Sequence, residues 1–279
     1  MSATATTTRS PASPLPIAAE PPRRTPRQLA TIYALEARYE MLKVLRLPMF
    51  AVPTLAFPLV FYCLFGLAFR GGGPGGTPMA VYLLATYGAF GVIGAALFGF
   101  GVNVAMERGQ GWMLLKRATP MPPGAYFAAK TAVALLFSML IVIGLFTLGA
   151  TLGGVRLPTD TWIGLALSLV AGAVPFCAFG LALGYLAGPN SAPAVINLLY
   201  LPMAFASGLW LPVEALPGWM QQIAPWLPAY YLAQLGLGAL GLPVRVSAGA
   251  AVAALAAFTV ISLAIARLGY RRDHGRTYG

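Results

Sequence analysis

Few side chains in this sequence can do chemistry, and most of them lie at the edges of apolar runs. The acids are Glu20, Glu36, Glu40, Glu107, Asp160, Glu214 and Asp273, the lysines are Lys43, Lys116 and Lys130, and His274 is the single histidine. No lysine follows a glycine, so the phosphate-cradling loop G-x-x-x-x-G-K-[ST] is absent. The run Gly236, Gly238, Gly241 fits G-x-G-x-x-G, but it follows no strand and opens no βαβ unit, so it does not read as a dinucleotide site. No nucleophile–base pair and no Cys/His cluster stands out, so neither a catalytic residue nor a metal ligand is expected. Cys63 and Cys177 both lie inside apolar runs, at different expected depths, and read as packing residues. His274 lies in a basic tail and reads as solvated.

The densest polar group between two strongly apolar runs is residues 106–130, which hold Glu107, Arg108, Lys116, Arg117 and Lys130. Trp112 and Leu115 stand three apart, as an apolar knob on a helix requires, and Pro120, Pro122 and Pro123 would stop that helix. Such a segment can dock on a partner through its charges and knob. The same charges could instead anchor helix ends to lipid headgroups.

The elements that position this segment are membrane helices. Of 279 residues, 58% are hydrophobic and 9% charged, against about 25% charged in soluble domains; mean hydropathy is +0.76. Apolar runs recur that are long enough to cross a ~30 Å hydrocarbon core as helices. The fold class is therefore all-α membrane protein. Six spans are expected, at about 49–69, 79–105, 131–152, 161–187, 193–210 and 248–267. Pro53 and Pro58 should kink the first, and a Gly-rich turn follows it.

Residues 1–26, rich in Thr, Ala, Pro and Ser, read as a disordered cytoplasmic tail and not as a signal peptide. Residues 27–47 place Leu29, Ile32, Leu35, Tyr39, Leu42 and Leu45 at helical spacing beside Arg27, Arg38, Lys43 and Arg46. That pattern predicts an amphipathic helix in the headgroup plane, or one packed on a partner. Residues 48–270 form the six-span transmembrane body, and 271–279 a basic cytoplasmic tail. The net charge of +11 does not form one stripe, which excludes nucleic acid as the expected partner. With both termini cytoplasmic, fifteen of the 18 Lys and Arg residues fall inside, and only Arg70, Arg156 and Arg245 outside.

Residues 211–247 then lie outside, yet are apolar and dense in Pro, Trp and Tyr. Pro225 and Pro228 should break them into two short helices forming an external re-entrant or interfacial hairpin. Glu214, Trp219, Trp226 and Tyr230 mark it, with the aromatics expected at headgroup level. Gly91, Ala95 and Gly99, and again Gly180, Gly184 and Gly188, allow close helix approach, within one subunit or at a dimer seam. Asn103 and Asn197 are the polar residues that could line a path.

These residues carry a resemblance. Glu107-Arg108-x-x-Gly111, Leu115-x-Arg117-x-Thr119-Pro120, Tyr126 and Lys130 resemble the loop after the second span in permeases of type-2 ABC exporters. Residues 207–219, with Ser207, Gly208, Pro212, Glu214, Leu216, Pro217 and Trp219, then Trp226 and Pro228, look like that family's outer hairpin. The resemblance covers roughly 27–270. It implies a permease of a bacterial inner membrane, paired with a second copy or homologue in contact with membrane lipid. Two cytoplasmic ATPase subunits would bind ATP and Mg, and this chain would hold no cofactor. Glu107, Arg108, Gly111, Trp112, Leu115 and Arg117 would couple to the ATPase, and amphiphilic drugs, antibiotics or lipid-linked molecules would be exported. Family loops commonly carry a second acid shortly after the glycine, where this chain has Met113 and Leu114. A stand-alone secondary carrier and a non-transporting scaffold are the rival expectations. The lack of acids within the spans argues against the carrier.

Overall fold

A computed structural model describes residues 25–67, 76–112 and 121–273. Leu115, Arg117, Arg70, His274, most of the 1–26 tail and most of the Gly-rich turn lie outside the described residues. Among the described residues the secondary structure is helical, with no strand.

Helix α1, Pro26–Leu45, begins at a capping box. The Thr25 hydroxyl accepts from the Gln28 N–H at 3.3 Å, and the Gln28 side chain accepts from the Thr25 N–H at 3.0 Å. Pro26 at the first position costs no hydrogen bond, since that N–H would be unpaired anyway. α2, Pro48–Phe61, carries Pro53 and Pro58 inside it and continues as a π-helical turn, Tyr62–Leu67. α3 runs over Met79–Gly109, interrupted by a π segment at Leu97–Val102. α4 is Pro123–Thr151. α5, Thr159–Ala171, and α6, Val174–Leu186, are two halves of one span broken at Gly172 and Ala173. α7 is Ala192–Ala206, α8 Gly218–Ile223, α9 Pro228–Ala239 and α10 Ala248–Asp273.

Six apolar helical segments therefore occur in the expected order. Four are long enough to cross a membrane: Met79–Gly109, Gly124–Thr151, Thr159–Leu186 and Ala248–Arg272. The first and fifth, Ala51–Gly66 and Ala192–Ala206, are shorter. The fifth stops before residue 210 because Gly208 adopts φ +78. The Leu209 N–H then bonds the Ala204 carbonyl at 3.1 Å, and the Gly208 N–H that of Phe205 at 3.1 Å, closing the helix as a Schellman turn.

α3 is the centre of the bundle. Over Met79–Ala96 it is apolar all round, as a helix enclosed on every side should be, and it packs against α2, α4, α6 and α9. Its π segment lies where α6 crosses most closely. A Cβ on Gly101 would meet the Gly180 carbonyl oxygen at 2.9 Å, and one on Gly184 would meet that of Gly101 at 2.9 Å. These small residues are thus used within the chain. α9 re-enters the body, with Ala229, Leu232, Ala233, Gly236 and Leu237 buried. The missing Cβ of Gly172 makes room for Leu232, so the break between α5 and α6 serves this approach. Trp219 and Trp226 are exposed, whereas Tyr230 is buried with Val213 and Ala224 inside the hairpin. Tyr230 therefore packs the hairpin's own interior instead of presenting its ring at a surface.

Candidate functional site

Two polar clusters mark the opposite ends of α3, a helix of 31 residues and so about 46 Å at ~1.5 Å per residue. At the far end from Glu107, Arg245 pairs with Glu214 at 2.9 Å, both about half exposed. The Gln234 side-chain oxygen accepts from the Arg245 N–H at 2.8 Å, tying the hairpin to the start of α10.

The other end is buried and denser. Glu107, near the end of α3, accepts from Lys130 on α4 at 3.0 Å and from the Tyr126 hydroxyl at 2.5 Å, and it also pairs with Lys43 on α1. Lys130 reaches Glu40 at 2.7 Å, and Lys43 pairs with Glu40 within α1. Two carboxylates thus meet two ammonium groups, and three helices are fastened at one point. A buried charge without such partners would be very costly. Burial alone would push Lys43 down, but the carboxylates of Glu107 and Glu40 outweigh it and hold its ammonium above the ordinary value. The Tyr126 ring adds a face 5.0 Å from the Lys130 nitrogen.

This pairing explains the face that α1 presents. Glu40 is buried and turned to the bundle, while Leu35, Tyr39, Leu42 and Leu45 are exposed. Four of the six apolar stripe residues are on the outside, and the acid is on the inside.

Arg108 is buried as well and turns away from this cluster. Its guanidinium donates to the Tyr185 carbonyl and, at 2.7 Å, to the Ala187 carbonyl, at the C-terminal end of α6. A cation there suits the negative end of the helix dipole. Next to it Gly109 lies so close to Pro189 that a Cβ would meet the proline ring at 2.5 Å. Gly111 then turns the chain with φ +74, and Trp112 projects half-exposed. The two other expected coupling residues, Leu115 and Arg117, lie outside the described residues.

Between the two ends, at the middle of α3, is a cavity of about 480 Å³. Phe57, Phe61, Phe90, Phe98, Tyr200 and Trp210 supply its aromatic wall, and Thr54 and Asn197 its polar groups. Such a volume lies within the range of small-molecule sites, ~300–1,000 Å³. The Tyr200 hydroxyl donates to the Phe90 carbonyl at 2.6 Å and closes one side. Of the two asparagines singled out as path residues, Asn197 lines the cavity. Asn103 does not; its amide donates to the Gly99 carbonyl at 2.8 Å, inside the π segment of its own helix.

Sequence reasoning did not assemble Glu40, Lys43 and Lys130 with Glu107. The available signal was that acids bordering apolar runs need partners. It did not find the aromatic cavity either, although Phe57, Phe61 and Phe65 recur at helical spacing on α2 and the π-helical turn after it. Among the described residues no group of three or more His, Cys, Asp or Glu could hold a metal ion.

The model of the ABC-2 type transporter family matches residues 33–241. A Bacillus subtilis (strain 168) chain provisionally named transport permease YvfS is 31% identical over 192 residues, which cover 69% of this chain and 78% of that relative.

Proposed function

The chain belongs to the ABC-2 type transporter family, and from that membership we propose that it forms the membrane path of an ATP-driven exporter of amphiphilic molecules. As a permease of this family it is a multi-pass membrane transport subunit, and its family implies an ABC ATPase as partner. On our reading, two such ATPases bind ATP and Mg on the cytoplasmic face. A second permease copy or homologue completes the path, and the complex resides in a bacterial inner membrane with both termini inside.

The observation that carries this reading is the buried Glu107–Lys130–Glu40–Lys43 cluster beside the half-exposed Trp112. A docking segment transmits force only if it is rigidly fixed to the body it moves. Here Glu107 fastens the end of α3 to α1 and α4, leaving Trp112 and the following residues, Leu115 and Arg117 among them, to meet the ATPase. Gly111 supplies the turn. The cavity, apolar with a few polar groups and no charged side chain among the described residues of its wall, suits an amphiphile. α1, with its acid inward and most of its apolar stripe outward, suits the membrane interface.

The test is copurification in detergent with the cognate ATPase, followed by transport in proteoliposomes. Trp112→Ala is expected to weaken ATPase retention. Glu107→Lys is expected to lower transport per ATP hydrolysed. Parent-like retention and transport in both variants would refute the docking role.

A further inference from the structure

The end of α3 grips a third element besides α1 and α4. Arg108 bonds the Tyr185 and Ala187 carbonyls, and Gly109 packs on Pro189. Ala105, Ala187 and Ala192 form a small buried apolar cluster of their own, with Val195 against it. Three independent contacts thus join the end of α3 to residues 185–192, the connection that leads from α6 into α7. α7 in turn carries Asn197, Tyr200 and Leu201 into the cavity wall. The π segment at Leu97–Val102 separates this gripping end of α3 from Phe90, Gly91 and Gly94, which line the cavity from α3 itself. π segments interrupt the regular hydrogen-bond ladder and are common at functional sites.

We propose that Arg108 is a positioning residue that makes the α6–α7 connection move with the end of α3, so that displacement of the docking segment reaches the cavity through α7. The guanidinium is suited to this. It is a planar fork holding two carbonyls at once, which fixes direction as well as distance. Glu107 and Arg108 then divide the work: one fastens the segment to α1 and α4, the other to the wall that must shift. This inference rests on the reading that residues 106–130 receive the ATPase's motion.

The experiment uses the full chain with both native cysteines replaced, Asn197→Cys introduced, and the cognate ATPase bound, in lipid nanodiscs. The rate of Asn197→Cys modification by a small methanethiosulfonate reagent is compared between the nucleotide-free and the ADP–vanadate-trapped complex. With Arg108 in place the rate is expected to change at least about five-fold, the lower end of ordinary coupling between sites. With Arg108→Gln the change should fall below about two-fold, and Arg108→Lys, which keeps the charge but not the fork, should fall between. Pro189→Gly, which loosens the same contact and leaves Arg108 intact, should act in the same direction and carries the test if Arg108→Gln does not fold. An Arg108→Gln complex that retains the full change overturns the proposal. So does an assembled parent complex that shows no change, or loss of ATPase copurification in Arg108→Gln, since Arg108 would then be a direct docking contact. Failure of the parent chain to hold any ATPase would strike the underlying reading instead, and is seen before any label is added.

Discussion

Lys130 and Glu40, ninety positions apart in sequence, form an ion pair at 2.7 Å with both side chains almost wholly buried. The pair holds α1 against the start of α4, and Glu107 and Lys43 close the cluster around it. Breaking a buried pair by removing one partner costs about 3–5 kcal/mol, because the remaining charge keeps its burial and loses its counter-ion. Lys130→Met should therefore lower the detergent melting temperature strongly and expose α1 to protease. Arg245→Ala, which breaks a pair that is about half exposed, should cost no more than ~1 kcal/mol. Equal effects of the two substitutions would contradict this account.

The pH dependence of the α1 attachment follows from Lys43, whose value lies above the ordinary 10.5. A group with a raised folded-state value stabilises fully below its unfolded value, and that stability is lost as pH rises through the folded one. Protection of α1 from limited proteolysis should thus be unchanged by Lys43 between about pH 7 and 9, falling only above ~10.5. A loss of protection near neutral pH that Lys43→Arg abolishes would show that this ammonium titrates lower.

Two glycines separate close approach from simple helix propensity. Gly101 has the Ile196 side chain at 2.8 Å and the Gly180 carbonyl at 2.9 Å from where a Cβ would stand, whereas Gly164 in α5 has open space. Gly101→Val should force α3 and α6 apart, costing about 1–3 kcal/mol or more. Gly164→Ala should instead stabilise its helix by about 0.5–1 kcal/mol. Thermal unfolding of the two purified variants checks both signs.

A side chain at Gly94 would meet the Tyr200 hydroxyl at 2.9 Å. Gly94→Leu should push Tyr200 off the Phe90 carbonyl and fill part of the cavity. Binding of the neutral fluorophore N-phenyl-1-naphthylamine to the purified chain, above the micelle background, should fall at least several-fold, as expected when a pocket of a few hundred Å³ is obstructed. Undiminished binding would place the probe elsewhere.

The sidedness of the bundle can be checked at its two ends. Gln110 is exposed beside the buried cluster, and Glu214 at the opposite end. In a chain without its native cysteines, a membrane-impermeant maleimide applied to intact cells should label Glu214→Cys and spare Gln110→Cys. The reverse pattern would invert the proposed orientation. Gly109 is a poor labelling site, since Pro189 leaves no room for a side chain there.

Much of this architecture was legible because bilayer physics writes itself into composition. The apolar runs and the proline breaks at 225 and 228 each follow from a local rule. The partners of Glu107 were not legible, because Glu40, Lys43 and Lys130 reach it only after three helices have packed, and no local rule joins residues so far apart. The sequence offers Arg108 as a charge for a partner protein, and its contacts with the Tyr185 and Ala187 carbonyls arise only once α3 and α6 have packed. The face of α1 that meets the bundle was not legible for a related reason. Its apolar stripe was plain, but which side of the helix met the bundle depended on Glu40 finding Lys130.

Only 17% of the apolar window of α10 is buried within the chain, against 67% for α3. Along the exposed face of α10 one apolar side chain can replace another without breaking a contact inside the chain. α3 has no such latitude, because nearly every side chain there has a neighbour whose size was chosen to match.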